Sequence, residues 1–206
     1  MEVHLVDGTY ELFRHHFAVP SHVTAEGVEV AATRGVLGSV LRMIEDGATH
    51  IGVATDRIVE SFRNDLFAGY KTGEGIPPEL FAQFPLVEAL LEAAGFTVFP
   101  MVEFEADDAL AAAALRAAED PRVKRVLVCS PDKDLAQCVT DDGRIVQLDR
   151  RQEILYDQAG VVEKFGVPPA ATPTGWPWSE TPLTASPAYP GGGPSPRPPC
   201  WPVTGI

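Results

Sequence analysis

The chain has 206 residues, of which 45% are hydrophobic and 22% charged, with a formal net charge of −13. That is room for one domain with a substantial core, and no apolar run is long enough to span a bilayer. The charge excludes a nucleic-acid binder with an ordinary basic face, unless the acids are gathered around cations that reverse the local field.

Met1-Glu2-Val3-His4-Leu5-Val6-Asp7 has neither a basic leader nor an apolar signal core, and reads as a mature cytoplasmic start. Cys129, Cys138 and Cys200 lack the spacing of a disulfide framework or a zinc site. Cys129 sits in an apolar run and is expected in the core.

In chain order, Glu2–Asp7 is a predicted strand. Thr33–Asp46 is a predicted helix with Val36, Val40, Leu41 and Ile44 at helical spacing, ending at Gly47. Ile51–Asp56 is a second strand, Glu79–Ala94 a helix stopped by Gly95, and Phe96–Phe99 a third strand. Ala106–Glu119 is an Ala-rich helix with Leu110 and Leu115 turned inward. Arg125–Ser130 is a fourth strand, followed by a short helix from Asp134. Asp142-Gly143 marks a tight turn before a strand over Arg144–Leu148. Asp157–Phe165 is a last helix, stopped by Gly166 and Pro168. This alternation predicts an α/β fold with a mostly parallel sheet flanked by helices. No G-x-G-x-x-G or G-x-x-x-x-G-K-[ST] motif anchors a nucleotide-binding reading.

The carboxylates fall in a pattern. Asp7 and Asp56 end the first and second strands. Glu105, Asp107 and Asp108 open the helix after the third. Asp132 and Asp134 follow the fourth. Sites in open α/β sheets form beyond the carboxyl ends of strands, so these seven acids are expected to converge on one edge. Singly, each has an ordinary explanation: a turn at Asp7-Gly8, dipole capping by Glu-Ala-Asp-Asp, a solvated N-cap at Asp132-Lys133-Asp134. Together they are costly unless cations neutralise them. All-oxygen ligation selects Mg²⁺ or Mn²⁺. A pair of such ions, about 3.5–4 Å apart, is the clamp used for in-line attack on phosphodiesters. Asp141 and Asp142 belong to a turn and are given no role; Arg14, His15 and His16 are read as surface residues rather than catalysts.

Val6-Asp7-Gly8, Phe62-Arg63 with Tyr70-Lys71, Phe104-Glu105-Ala106-Asp107-Asp108 and Ser130-Pro131-Asp132-Lys133-Asp134-Leu135 resemble the PIN-like (resolvase-like) nuclease domain of the 5′-3′ exonuclease and flap-endonuclease family. That domain also forms the N-terminal part of bacterial DNA polymerase I. The resemblance covers residues 1–170 in order. It implies Mg²⁺-dependent cleavage of branched, flapped or 5′-ended duplex DNA, with Asp7, Asp56, Glu105, Asp107 and Asp108 around a first ion and Asp132 and Asp134 extending to a second. It makes Asp7, Asp56, Asp108 and Lys71 the catalytic set. Lys71 would meet the scissile phosphate and Arg63 would lie on the strand path. DNA is the implied partner, with a DNA polymerase as the implied protein partner where the domain is fused to one; no membrane and no oligomer are expected. The family often has another basic residue after the Tyr-Lys pair, where Thr72-Gly73-Glu74 stands here. Two other readings use the same acids: a PIN-type ribonuclease, and a degenerate domain that binds metal or a partner without turnover.

Residues 171–206 differ abruptly. They hold 10 of the 19 prolines and all three tryptophans, with one acid, Glu180, and one base, Arg197. The composition predicts an irregular, disordered Pro/Gly-rich tail, although disordered segments are usually poor in aromatics. The family continues here with a G-D-x-x-D carboxylate pair and a glycine-rich helix-hairpin-helix. Neither is present. Back-translated and read in the frame that joins each third base to the next codon, the tail from Thr174 can encode D-W-L-A-L-V-G-D-T-A-D-G-F-P-G-L-P-G-W-G-A-K. Trp176-Pro177 forces the first A of that string. The tail therefore reads as the frameshifted remnant of the hairpin domain. A chain without those carboxylates and that hairpin is expected to bind DNA poorly and cleave slowly or not at all.

Overall fold

The computed structural model describes residues 1–67 and 70–171. The expected disorder and frameshift of the tail fall outside the described residues, apart from residue 171. The elements in order are β1 (Glu2–Asp7), α1 (Gly8–Ala18), α2 (Ala31–Glu45), β2 (Ile51–Asp56), α3 (Phe62–Leu66), α4 (Pro78–Phe81), α5 (Gln83–Ala93), β3 (Thr97–Met101), α6 (Ala106–Glu119), β4 (Arg125–Cys129), a 3₁₀ helix (Lys133–Cys138), β5 (Ile145–Asp149), β6 (Ile154–Tyr156) and α7 (Gln158–Phe165). A last 3₁₀ turn covers Pro169–Ala171.

The sheet order is β3-β2-β1-β4-β5-β6. Every pair is parallel except β5–β6, as the mostly parallel prediction requires. Side chains alternate across a strand, and the apolar residues sort accordingly. Val6, Val53, Leu127 and Val146 share one core with Leu12 of α1, Val36 and Val40 of α2, and Phe84 and Leu91 of α5. Their neighbours Leu5, Ala54, Val126, Val128 and Ile145 share the other with Leu110 and Ala114 of α6. Helices on both faces bury both sides of the parallel strands, which explains their near-continuous apolar sequence. Cys129 is buried in the first core as expected.

Several local expectations are corrected. α1 was not foreseen, because its 11 residues carry a weak apolar stripe. Asp7 is its N-cap, accepting the Tyr10 N–H at 2.8 Å. Gly8 lets that helix start close to β2: a Cβ there would lie 2.7 Å from Val53 Cγ1 and 2.8 Å from the Ala54 carbonyl oxygen. In α2 the inward stripe is Val36, Val40 and Met43, leaving Leu41 and Ile44 exposed. Leu115 is 57% exposed while Leu110 is fully buried. Five residues at 3.6 per turn place the two well apart around the helix, and Ala114 takes the inward position. The helix expected over 79–94 is two, α4 and α5, parted at Ala82. β3 runs on through Pro100 to Met101, which an edge strand tolerates. The hairpin strand β6 and the short α3 were also unforeseen.

Arg14 and His15 are not simple surface groups. With Arg150, they surround the buried Glu11 carboxylate of α1. Arg14 donates to Glu11 Oε2, and His15 Nε2 lies 3.5 Å from the same oxygen. Arg150 reaches Glu11 Oε1 at 3.2 Å and the Ser39 hydroxyl at 2.9 Å, tying the β5–β6 turn to α1 and α2. Burial opposes ionisation of Glu11, but hydrogen bonds from His15 and Arg14 and the Arg150 charge outweigh it and hold its carboxyl down at about 2.

Candidate active site

Strand order reverses beside β1: β2 and β3 lie on one side of it, β4, β5 and β6 on the other. A crevice opens at such a switch point, outside the carboxyl ends of the strands. Asp7 ends β1 there. Asp56 ends β2, Asp107 stands in the first turn of α6 after β3, and Asp132 follows β4.

Asp7 is buried. Its Oδ1 accepts from Tyr10 N, and its Oδ2 accepts from the Ser130 hydroxyl at 3.0 Å. Desolvation, reinforced by the charges of Asp56 and Asp132, nevertheless pushes its carboxyl up to about 7. Asp107 is pushed further, to about 9, first by burial and then by the charges of Asp7, Asp132 and Asp56. These four acids, from four different strand ends, thus lie within mutual electrostatic reach. Asp56 is held on three sides: Oδ1 accepts from Ala106 N at 2.8 Å, Oδ2 accepts from Lys71 Nζ at 3.0 Å, and its own N–H donates to the Thr9 hydroxyl at 2.8 Å.

The other predicted acids face elsewhere in the same rim. Asp108 takes both ends of the Arg63 guanidinium, at 2.8 and 2.9 Å. Its own burial is outweighed by those bonds, and its carboxyl is held below the usual range. Glu105 Oε1 accepts from the Ser61 hydroxyl at 2.7 Å and lies 3.1 Å from Arg63. Asp134 donates its backbone N–H to Asp132 Oδ1 at 2.9 Å. Asp142, given no role, closes its turn by accepting from Thr140 and Arg144. Among the described residues, no three His, Cys, Asp or Glu side chains stand close enough to hold an ion as they are placed.

Some positioning residues were missed. Gln147, buried on β5, donates to the carbonyl oxygens of Ser130 and Asp132 at 2.8 and 2.5 Å, pinning the turn that carries both. A lone amide inside the apolar strand Ile145-Val146-Gln147-Leu148 was its only signal. Ser61 caps α3 and reaches Glu105 across 44 positions, a pairing no local pattern discloses. Glu88 of α5, 1% exposed, accepts from the Thr55 hydroxyl and Arg57 Nε, both at 2.7 Å. These two residues flank Asp56.

Residues 2–166 match the family model described as the 5′-3′ exonuclease N-terminal resolvase-like domain. DNA polymerase I of Mycobacterium leprae is 34% identical over 175 residues, which cover 82% of this chain and 19% of that protein. DNA polymerase I of Bacillus subtilis is 35% identical over 171 residues, with 80% and 19% covered. A Mycobacterium tuberculosis protein named 5′-3′ exonuclease is 35% identical over 185 residues, covering 80% of this chain and 57% of that one. The chain thus spans a fifth of the polymerases and just over half of the exonuclease. Among solved structures, the bacteriophage T5 D15 flap endonuclease, in a pseudo-enzyme-product complex with DNA and metal ions, shares the fold at a TM-score of 0.60 and 18% identity. The match covers 81% of this chain and 61% of that one. The T5 D15 protein co-crystallised with metal ions matches at 0.59 and 16%, covering 81% and 62%. No helix among the described residues is long and apolar enough to cross a membrane. By family match and by fold, this chain belongs to the 5′-3′ exonucleases, as their N-terminal resolvase-like nuclease domain.

Proposed function

We propose that this domain is built for Mg²⁺- or Mn²⁺-dependent hydrolysis of DNA phosphodiesters at 5′ ends or flaps, with two ions. The observation that carries this reading is the gathering of Asp7, Asp56, Asp107 and Asp132 at one sheet edge, with Lys71 on Asp56 as the cation paired directly with one of the four. Burial first and then the neighbouring carboxylates push Asp7 up to about 7 and Asp107 to about 9. An all-oxygen, charge-rich donor set of this kind fits hard divalent cations. Asp7, Asp56 and Asp107 would hold the first ion, with Glu105 and Asp108 beside it, and Asp132 with Asp134 would hold the second. When bound, such ions supply an activated water and steady the departing 3′-oxygen.

The chain's own residues then have distinct tasks. Lys71, 3.0 Å from Asp56, is within reach of a phosphate lying over that carboxylate. Arg63, forked onto Asp108, offers a planar guanidinium at the rim for the strand path. Ser130 and Thr9 hold Asp7 and Asp56, and Gln147 holds the turn that carries Asp132; the carboxylates would draw together around an ion on binding. Titration with Mn²⁺, followed by calorimetry, and a Mg²⁺-dependent cleavage assay on 5′-flapped duplex DNA test the reading. Absence of Mn²⁺ binding at any site containing Asp7 would end it. Cleavage of single-stranded RNA in preference to flapped DNA would favour a PIN-type ribonuclease.

A second reading, a domain that binds metal without turnover, is favoured by one observation. Residues 171–206 carry neither the G-D-x-x-D pair nor the glycine-rich hairpin sequence that the family has after residue 170. We infer a frameshift near that point. Sequencing the genomic locus checks it, and a tail conserved in frame in sister strains would refute it. Mn²⁺ binding without cleavage by the 206-residue chain is the outcome expected of the frameshifted form, and family-like turnover would exclude it.

A further inference from the structure

We infer that Arg57 is a contact for the nucleic-acid phosphate backbone, aimed by the buried carboxylate of Glu88; this rests on the nuclease reading above. Arg57 immediately follows Asp56 at the carboxyl end of β2. It is therefore on the sheet edge where the acids gather. Arg57, Lys71 and Arg63 are among the cations near that edge, and they are used differently. Lys71 is paired with Asp56 and Glu105, and Arg63 with Asp108 and Glu105. Both are therefore partly cancelled by acids of the site itself. Arg57 is held by Glu88, a carboxylate of α5 outside the acidic cluster.

The geometry of that hold leaves the working end free. Arg57 donates only through Nε, at 2.7 Å, to Glu88 Oε2, while the Thr55 hydroxyl occupies Oε1 at 2.7 Å. Neither Nη nitrogen has a partner among the described residues, and the side chain is 48% exposed. A guanidinium fixed at its base and open at its fork is suited to a phosphate, which accepts two parallel N–H bonds. A cation needed only to neutralise a fully buried Glu88 would gain nothing from presenting four donors to solvent. The placement also answers a deficit in the sequence. Thr72-Gly73-Glu74 carries no cation after Tyr70-Lys71, and Arg57 supplies a positive charge to an edge dominated by carboxylates.

The test uses the full 206-residue chain and a fluorescein-labelled 5′-flapped DNA duplex in EDTA, with binding followed by anisotropy from low to physiological salt. Arg57→Gln is expected to weaken binding about tenfold and to reduce the slope of log affinity against log salt by about 1. Arg57→Lys and Glu88→Gln keep a cation at position 57 while losing the fork or its aim; each is expected to lower affinity with the slope unchanged. If Arg57→Gln does not fold, these two variants carry the test. A fall in melting temperature with affinity and slope both unaltered would mean that Arg57 only neutralises Glu88, and would overturn the inference while leaving the nuclease reading intact. Failure of the unaltered chain to bind the flap at the lowest salt would likewise overturn the inference, while the nuclease reading stands or falls on Mn²⁺ binding at Asp7.

Discussion

Buried acids in two different settings meet at the start of the first helix, one at its N-cap and one in its first turn, and the sequence treats them alike. Glu11, inside α1, is enclosed by Arg14, His15 and Arg150, and its carboxyl is held at about 2. Asp7, the residue that caps the same helix, faces Asp56, Asp107 and Asp132, and its carboxyl is pushed up to about 7. Both have been taken out of water; they differ in what replaced it. Around Glu11, cations and hydrogen-bond donors complete the shell, so the charge is part of the fold. Around Asp7 the Tyr10 N–H and the Ser130 hydroxyl replace part of the lost water, too little to offset burial, and the charges beside Asp7 and Asp107 are further carboxylates. Lys71 offsets part of this negative charge at Asp56, and Arg63 is paired with Asp108 and Glu105 instead. A folded chain that keeps such an arrangement holds local strain that a cation could relieve, which is how sites differ from cores.

The comparison can be broken by substitution. Glu11→Ala leaves Arg150 and Arg14 without their shared partner and is expected to cost about 3–5 kcal/mol in urea unfolding. A cost below about 1 kcal/mol would show that the network is ornamental. Asp107→Asn is expected to act with the opposite sign. Removing one ionisable group from the crowd should stabilise the metal-free protein by about 1–2 kcal/mol, while Mn²⁺ affinity measured by calorimetry falls. Destabilisation, with Mn²⁺ binding intact, would place Asp107 in the structural class with Glu11.

Acidity separates the two groups more gently. The raised carboxyls of Asp7 and Asp107 contribute stability that is complete below about pH 4 and lost as pH rises through about 7 and 9. The depressed carboxyl of Glu11 contributes stability present above about pH 4.5 and lost as pH falls through about 2. In EDTA the melting temperature should therefore fall between pH 5 and pH 9, and Mn²⁺ should restore more of it at pH 8 than at pH 5. A melting temperature in EDTA that rises over that interval would contradict the crowding. The smallest effect is expected from Ser130→Ala, which removes the hydroxyl donated to Asp7. It should cost about 1 kcal/mol and move the pH midpoint of Mn²⁺ binding upward, since Asp7 loses a bond that favours its charged form. An unchanged midpoint would mean that the hydroxyl orients nothing.

Much of this was readable in the residues because the signals are local. Strands announce themselves as β-branched runs, and an acid at the end of each is visible as soon as the run is delimited. Asp7, Asp56 and Asp132 were legible for that reason, and so was the α/β class. Where sequence reading failed, the cause was also physical. Leu115 was assigned inward on apolarity, but its angular position on α6 faces solvent. Glu11 and Arg150 are 139 positions apart, and Arg14 and His15 beside Glu11 look like ordinary surface charge until the β5–β6 turn closes over them.

The sequence by itself determined which stretches become strands, that carboxylates terminate them, and that the chain carries the motifs of a nuclease domain. These follow from short-range propensity, side-chain alternation and residue identity. Only the tertiary structure decided which acids meet. Asp107 and Asp108 are adjacent on α6, yet one turns into the crevice toward Asp7 and Asp132 and the other locks onto Arg63. About 100° of helix rotation separates neighbours, and the sheet order, not the residue type, sets which direction faces the switch point.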